Sequence, residues 1–258
     1  MTLEQYIQNL NLSICTEFTS DLVPTSIPDL NRENIGEFAK KISLDYVPKK
    51  ENGNVCFAND NYELRDDFKQ VFSTVDFLDY IYAVSFSADY KEKFQKTISI
   101  DFSRLPFPKV STAFWKLVKL GKQLRELHLL KVGFLETSTA IFSIDGDNVV
   151  TKIKFKIIDV MLPAEGNSID WNCFEGNSRN CNHDNLGRVF INDNQYFGNI
   201  PESVWNLSVG NSKPAQKWLL DRNGQKLESK DIKQYQKIIT ILIEVNRIIK
   251  EINKIEIQ

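Results

Sequence analysis

The stretch from Ser229 to Ile252 limits most strongly how this chain can fold. Ile232, Tyr235, Ile238, Ile239, Leu242, Val245, Ile249 and Ile252 recur there every three or four residues, with Lys233, Lys237, Glu244, Arg247 and Lys250 between them. The spacing predicts one long amphipathic helix capped by Ser229. A helix gains most of its stability in water from packing its apolar side. The stripe therefore reads as the seal of a core or of a partner helix, in preference to a cofactor site. It is not a membrane span. Its most apolar part, Ile238 to Ile249, carries Glu244, Asn246 and Arg247 and falls short of the ~18 uninterrupted apolar residues a span needs.

The rest of the chain can supply such a core. It has 258 residues, 42% of them hydrophobic, including 17 Phe, 8 Tyr and 4 Trp. That excludes global disorder and allows one to two domains at roughly 150 residues each. The N-terminus, MTLEQYIQNL, carries an acid and no continuous apolar run, unlike a secretory signal. Four cysteines make no disulfide framework, so a reducing, cytoplasmic setting is expected.

Periodicity and punctuation divide the chain into residues 1–70, an N-terminal α/β segment, and 71–258, a core with an insert loop at 161–186. Thr2 is placed to cap a short helix through Leu10. Pro24 and Pro28 keep their neighbours extended. Asn31 precedes a helix carrying Ile35, Phe38, Ala39 and Ile42, and Leu44 to Val47 reads as a short strand before a polar loop. Phe77, Leu78, Ile81, Tyr82 and Val84 mark a second helix, and Tyr90 and Phe94 a shorter third. Pro106 and Pro108 exclude a helix between them. Ser111 is expected to cap a helix to about Leu130 with Phe114, Leu117, Val118, Gly121, Leu124 and His128 on one face. Gly121 there predicts close approach of another backbone.

Ile141–Ile144, Val149–Ile158 and Arg188–Asn192 read as strands, with Asp145 to Asn148 as a hairpin turn between the first two. Pro201 starts a short turn holding Trp205. Ser212 to Leu220 reads as a helix, and Asp221 to Gly224 as the turn after it.

Screens for catalytic motifs return little. No phosphate-binding glycine loop, dinucleotide fingerprint or G-x-S-x-G elbow occurs. There are two histidines, and His128 lies on an apolar helix face, where a satisfied core histidine is expected. Cys173, Cys181 and His183, with Asp184, match no closed zinc spacing and are expected to be metal-free. Asp89-x-Lys91 and Asp231-x-Lys233 have a nuclease-like spacing that arises by chance in charged helices. No Asn-Pro or Asp-Pro occurs to clamp a flipped adenine, and no glycine-rich turn for S-adenosylmethionine. The chain is thus not a complete methyltransferase.

Net charge is −2, so any affinity for a polyanion has to be local. Phe102 to Arg125 holds six basic residues and no acid. Ser203 to Lys226 holds Lys213, Lys217, Arg222 and Lys226 against Asp221. Such runs can form a binding face or be solvated helix surfaces, and charge alone favours the latter.

Three groups of strings, taken in order, resemble a known family. The first is VDFLDYIYAV from Val75 to Val84, then Tyr90 to Lys93, then IDFSRLPFP from Ile100 to Pro108. The second is Phe114-Trp115, Leu120-Gly121 and LRELHLL from Leu124 to Leu130. The third runs through GRVFIN (Gly187 to Asn192), Gln195 to Phe197, Pro201, Val204-Trp205, PAQKWL (Pro214 to Leu219), Asp221-Arg222 and Tyr235 to Ile238. They resemble the C-terminal specificity domain of type ISP and related single-chain restriction–modification enzymes, over most of residues 25 to 255. Ser103, Ser85 to Ala88, Asn211 to Lys213 and the insert depart from the family's usual pattern.

The resemblance implies an α/β (α+β) target-recognition fold, a small mixed sheet with long flanking helices. It implies a double-stranded DNA partner and a methyltransferase domain or subunit, with a nuclease or helicase as further candidates. S-adenosylmethionine belongs to that parent adenine methyltransferase, and no cofactor is expected in this chain. Arg and Lys suit phosphates and guanine edges, Gln and Asn suit adenine. On that chemistry the contact candidates are Arg104, Lys109, Lys213, Gln216, Lys217 and Arg222, with Tyr80, Tyr82, Trp115 and Trp218 expected in the core. The alternative is a docking protein that binds a methyltransferase or helicase without reading DNA.

Overall fold

The computed structural model describes residues 5, 8, 10, 32–48, 69–88, 90, 105–129, 139–142, 145–158 and 184–257. The Thr2 cap, Pro24 and Pro28, Phe94, Arg104 and the thiols at Cys173 and Cys181 with His183 lie outside these residues. The chain divides into two compact units, Met1–Phe134 with Glu244–Gln258, and Leu135–Ile243.

In the first unit, α1 (Arg32–Ile42) buries Ile35, Phe38, Ala39 and Ile42, the four residues its periodicity singles out. The short strands β1 (Asp45–Tyr46) and β2 (Val71–Phe72) pair in parallel. Ser73 caps α2 (Thr74–Ser85) with a reciprocal box. Its Oγ accepts from the Asp76 N–H, and the Asp76 carboxylate accepts from the Ser73 N–H at 2.8 Å. α2 is buried on nearly every side, from Phe77 through Val84. It is therefore the centre of this unit.

α3 (Ser111–His128) buries the predicted face, and Trp115 with it. Ser111 is the first helical residue and not the cap. Val110 holds that position and makes no side-chain capping bond. Gly121 is where α3 meets α2. A Cβ there would lie 1.8 Å from the backbone oxygen of Asp79, so only glycine lets the two helices approach this closely. Phe38, Phe72, Phe77, Tyr80 and Phe114 fill the remaining space, with ring centroids 5.0 to 6.4 Å apart. Leu105 to Pro108 is non-helical, as its prolines require, and the Tyr80 hydroxyl donates to the Pro106 carbonyl.

Two polar groups are set into this core. Arg125 makes a two-pronged contact with Asp79 at 2.6 and 2.9 Å, and the carboxylate is almost fully buried. Burial pushes the Asp79 carboxyl above its ordinary range, and the guanidinium offsets part of that rise. His128 is wholly buried, with its Nδ1 against the Tyr82 hydroxyl. Burial lowers its pKa to about 3. It is a neutral core histidine, as its place on the apolar face predicts.

The second unit is built on a four-stranded antiparallel sheet. The strands are β3 (Ile141–Phe142), β4 (Lys154–Ile157), β5 (Leu186–Phe190) and β6 (Tyr196–Pro201), in the order β3-β6-β5-β4. The fold is α/β with small sheets and long helices, as expected, and its strands are divided between two sheets, one parallel and one antiparallel. Asp145 to Asn148 is not a hairpin turn, because β3 and β4 lie at opposite edges. A buried amide holds that loop instead. Gln195 accepts from the Asn148 N–H at 2.8 Å and donates to the Asn148 side chain at 2.6 Å, and Asn192 donates to Gln195 at 2.9 Å. Asn148 adopts a positive φ of 59°. The chain then runs beside 225–227, bridging Val149 to Lys226, with the Val150 N–H donating to the Gln225 carbonyl.

After β6 come the single turn α4 (Glu202–Trp205), then α5 (Pro214–Leu220) and α6 (Ser229–Ile252), whose residues from Glu244 onward belong to the first unit. Ser229 is the first residue of α6 and not its cap. The Asp231 carboxylate reaches back to the N–H of Glu228, one residue earlier. The inner face of the sheet, Val189, Phe197 and Ile200, is fully buried. Phe197 meets Tyr235 of α6 at 4.5 Å, and Tyr235 meets Trp218 of α5 at 5.1 Å. The stripe of α6 is buried as predicted, apart from the half-buried Ile232. Ile241 and Ile248, outside the stripe, are buried too, so the helix is covered over a wider arc. No described helix is long and apolar enough to cross a membrane.

Candidate nucleic-acid interface

α5 brings three of the six contact candidates onto one surface. Pro214 occupies its first turn, where a missing N–H costs nothing, and Lys213 is its cap. Pro214, Ala215, Trp218 and Leu219 face inward. That leaves Lys213, Gln216, Lys217 and Leu220, spaced by three and four residues, on the outward face. Lys213 reaches Asn206 at 3.4 Å, and Gln216 donates to the Trp205 carbonyl at 3.0 Å. Lys217 pairs with Asp221 at 2.7 Å, one turn on, with both groups about half exposed. A surface pair of this kind is worth at most about 1 kcal/mol, so a phosphate can displace the carboxylate cheaply.

Arg222 sits in the turn that follows. Its guanidinium lies 3.7 Å from the centre of the Trp218 indole and donates to the Trp218 carbonyl. Asp221 therefore partners Lys217 and not Arg222. The turn is held from behind, since the Gly224 N–H donates to the Val150 carbonyl and the Leu227 N–H to the Asn148 carbonyl. Gln195 thus holds Asn148, 47 residues away in sequence, which in turn accepts from Leu227 behind the turn.

The remaining candidates are placed differently. Lys109 belongs to the first unit, where it pairs with Glu256 at 3.1 Å with both side chains exposed. Arg104 lies outside the described residues. Arg125, the last residue of that basic run, is committed to Asp79 and is not an interface cation. Tyr80, Tyr82, Trp115 and Trp218 are core residues, as expected.

Of the residues proposed for rival chemistries, Asp231, Lys233 and Asp184 lie among the described residues. Asp231 of the D-x-K triplet serves the start of α6, and Asp184 accepts from Ser203 at 2.5 Å. Among the described residues no three His, Cys, Asp or Glu side chains cluster to hold a metal.

One group of cations escaped the sequence reading. Lys154 and Lys156 on β4 and Arg188 on β5 come together on the outer face of the sheet, through register alone. The alternation Lys152, Lys154, Lys156 with apolar residues between them was the available signal.

The sequence model of the Type ISP C-terminal specificity domain matches residues 16–251. The chain belongs to that family. No curated protein matches it. Solved structures similar to this specificity domain include a nuclease-deletion mutant of the Type ISP enzyme LlaGI with a DNA substrate mimic. That match has 21% identity and a TM-score of 0.45, over 74% of this chain and 17% of that one. The ATP-dependent Type ISP enzyme LlaBIII bound to DNA aligns at 19% identity and a TM-score of 0.46, over 72% of this chain and 12% of that one. The DrdV–DNA complex aligns at 18% and 0.44, over 70% of this chain and 18% of that one. The chain spans less than a fifth of the length of each of these solved chains.

Proposed function

We propose that this specificity domain reads a short sequence in double-stranded DNA and so places a separate catalytic domain on its target. Family membership over residues 16–251 is the observation that carries this reading. The outward face of α5 gives it a physical form. Lys213 and Lys217 have the reach and charge for phosphates, as does Lys109 in the other unit. Gln216 and Arg222 have the chemistry for base edges. Arg104 belongs to the same proposal by residue type. The catalytic partner is an adenine-specific methyltransferase, and the S-adenosylmethionine it uses is bound there, because this sequence carries neither a base clamp nor a glycine-rich cofactor turn.

Selection of bound duplexes from a randomised pool by the full chain tests the reading. One recurring sequence should be enriched. Lys217→Ala should then weaken binding to every duplex and lower the salt slope by about 0.9. Gln216→Ala should cost about 1–3 kcal/mol on the enriched sequence only. A pool that shows no enrichment overturns sequence reading and leaves a docking protein.

A further inference from the structure

We propose that the outer face of the four-stranded sheet is a second DNA surface, one that holds the phosphodiester backbone of a duplex without reading bases. This rests on the reading of the chain as a DNA-binding domain and adds a site that α5 does not contain. Cross-strand register builds the surface. Lys156 stands opposite Arg188, Lys154 opposite Phe190, and Phe190 opposite Tyr196, so these five side chains share one face. Their opposite-facing neighbours Val189 and Phe197 point into the core.

The charges are arranged as a polyanion requires. The four strands contain Lys154, Lys156 and Arg188 and no Asp or Glu. All three cations are exposed, and none forms an ion pair with a described carboxylate. Lys156 lies 4.8 Å from the centre of the Phe190 ring, and Arg188 lies 4.6 Å from that of Tyr196. The rings hold the cations over the sheet and leave their N–H groups outward. Two like charges directly opposite in an antiparallel pair oppose folding. A bound row of phosphates relieves that repulsion.

A duplex suits the face better than a single strand. Both rings already carry a cation, so neither offers a bare surface for base stacking. The contacts left are to phosphates, which carry no sequence information.

The test uses the full chain, a random-sequence duplex and a single strand of the same length, with binding followed across a salt series. Lys154→Gln, Lys156→Gln and Arg188→Gln should each reduce the log–log salt slope for the duplex by about 0.9 and lower affinity for all duplexes alike. The sequence enriched by selection should not change. Thermal stability of Lys156→Gln should change little, since the lost cation–π contact and the removed like-charge pair are of similar size. Unchanged duplex binding by the triple variant, while the parent chain binds, overturns the sheet face alone. A loss confined to the single strand overturns the duplex assignment. A parent chain that binds no duplex overturns this inference together with the reading it rests on.

Discussion

Arg125 and Lys217 are both basic residues on helices, in runs that look alike by charge, and the molecule uses them in opposite ways. Arg125 faces the buried Asp79 across the α2–α3 contact that Gly121 makes possible, and its guanidinium is only 17% exposed. Lys217 faces outward, 44% exposed, with its partner Asp221 one turn away. The first cation is satisfied within the fold and is closed to a ligand. The second is held loosely by an exposed acid. Counting basic residues in a window therefore overstates a DNA surface. What matters is whether an acid inside the core has already claimed the charge.

The contrast can be broken by substitution, and the largest effect should come from the core pair. Arg125→Ala leaves the Asp79 carboxylate buried without a counter-charge and should cost about 3–5 kcal/mol in urea unfolding. A loss below about 1 kcal/mol would show that the pair is solvated in solution.

His128 should give the next effect, one that depends on pH. Burial holds its pKa near 3, against 6.5 for an ordinary imidazole. Between those values the unfolded chain takes up a proton that the folded chain refuses. Stability is therefore complete above the unfolded value and falls as the pH drops toward the folded one. At about pH 5 the loss should be about 2 kcal/mol. Denaturant midpoints at neutral and acidic pH, compared with His128→Gln, isolate the contribution, because the raised Asp79 carboxyl is common to both proteins. Equal pH dependence in the two would place the imidazole in contact with water.

The smallest effect should be that of Lys217→Ala on stability, under about 1 kcal/mol, since both groups of its pair are half exposed. A thermal melt checks this. A larger loss would make the pair structural and remove the basis for treating Lys217 as available to phosphate.

How far the sequence could be read depended on the element. The faces of α1, α3 and α6 were legible, down to Gly121 as a point of close approach and His128 as a core group. The outward face of α5 was legible too, because Lys213, Gln216 and Lys217 are neighbours on one helix. Four of the strands, β1, β3, β4 and β5, fall within or across the predicted stretches, but β2, β6 and the pairing order were not legible. β6 contains Gly198, Pro201 and Asn199, the last with a φ of 59°, and such residues read as loop. Asp145 to Asn148 has the composition of a hairpin turn, yet Gln195, about fifty residues away, sets its conformation.

The sequence by itself determined which side of each helix is apolar, and the resemblance carried by its ordered strings determined the family. The first depends on residues close together along the chain, where a period of 3.6 brings side chains to one face regardless of what lies beyond, and the second on the order of short strings, which needs no contact between them. Only the tertiary structure decided that β3 pairs with β6 rather than β4, that Arg125 is claimed by Asp79, and that Lys154, Lys156 and Arg188 form one surface. Those outcomes rest on contacts between residues more than thirty positions apart. A strand's pairing register is chosen by the burial of its whole inner face, which no local window contains.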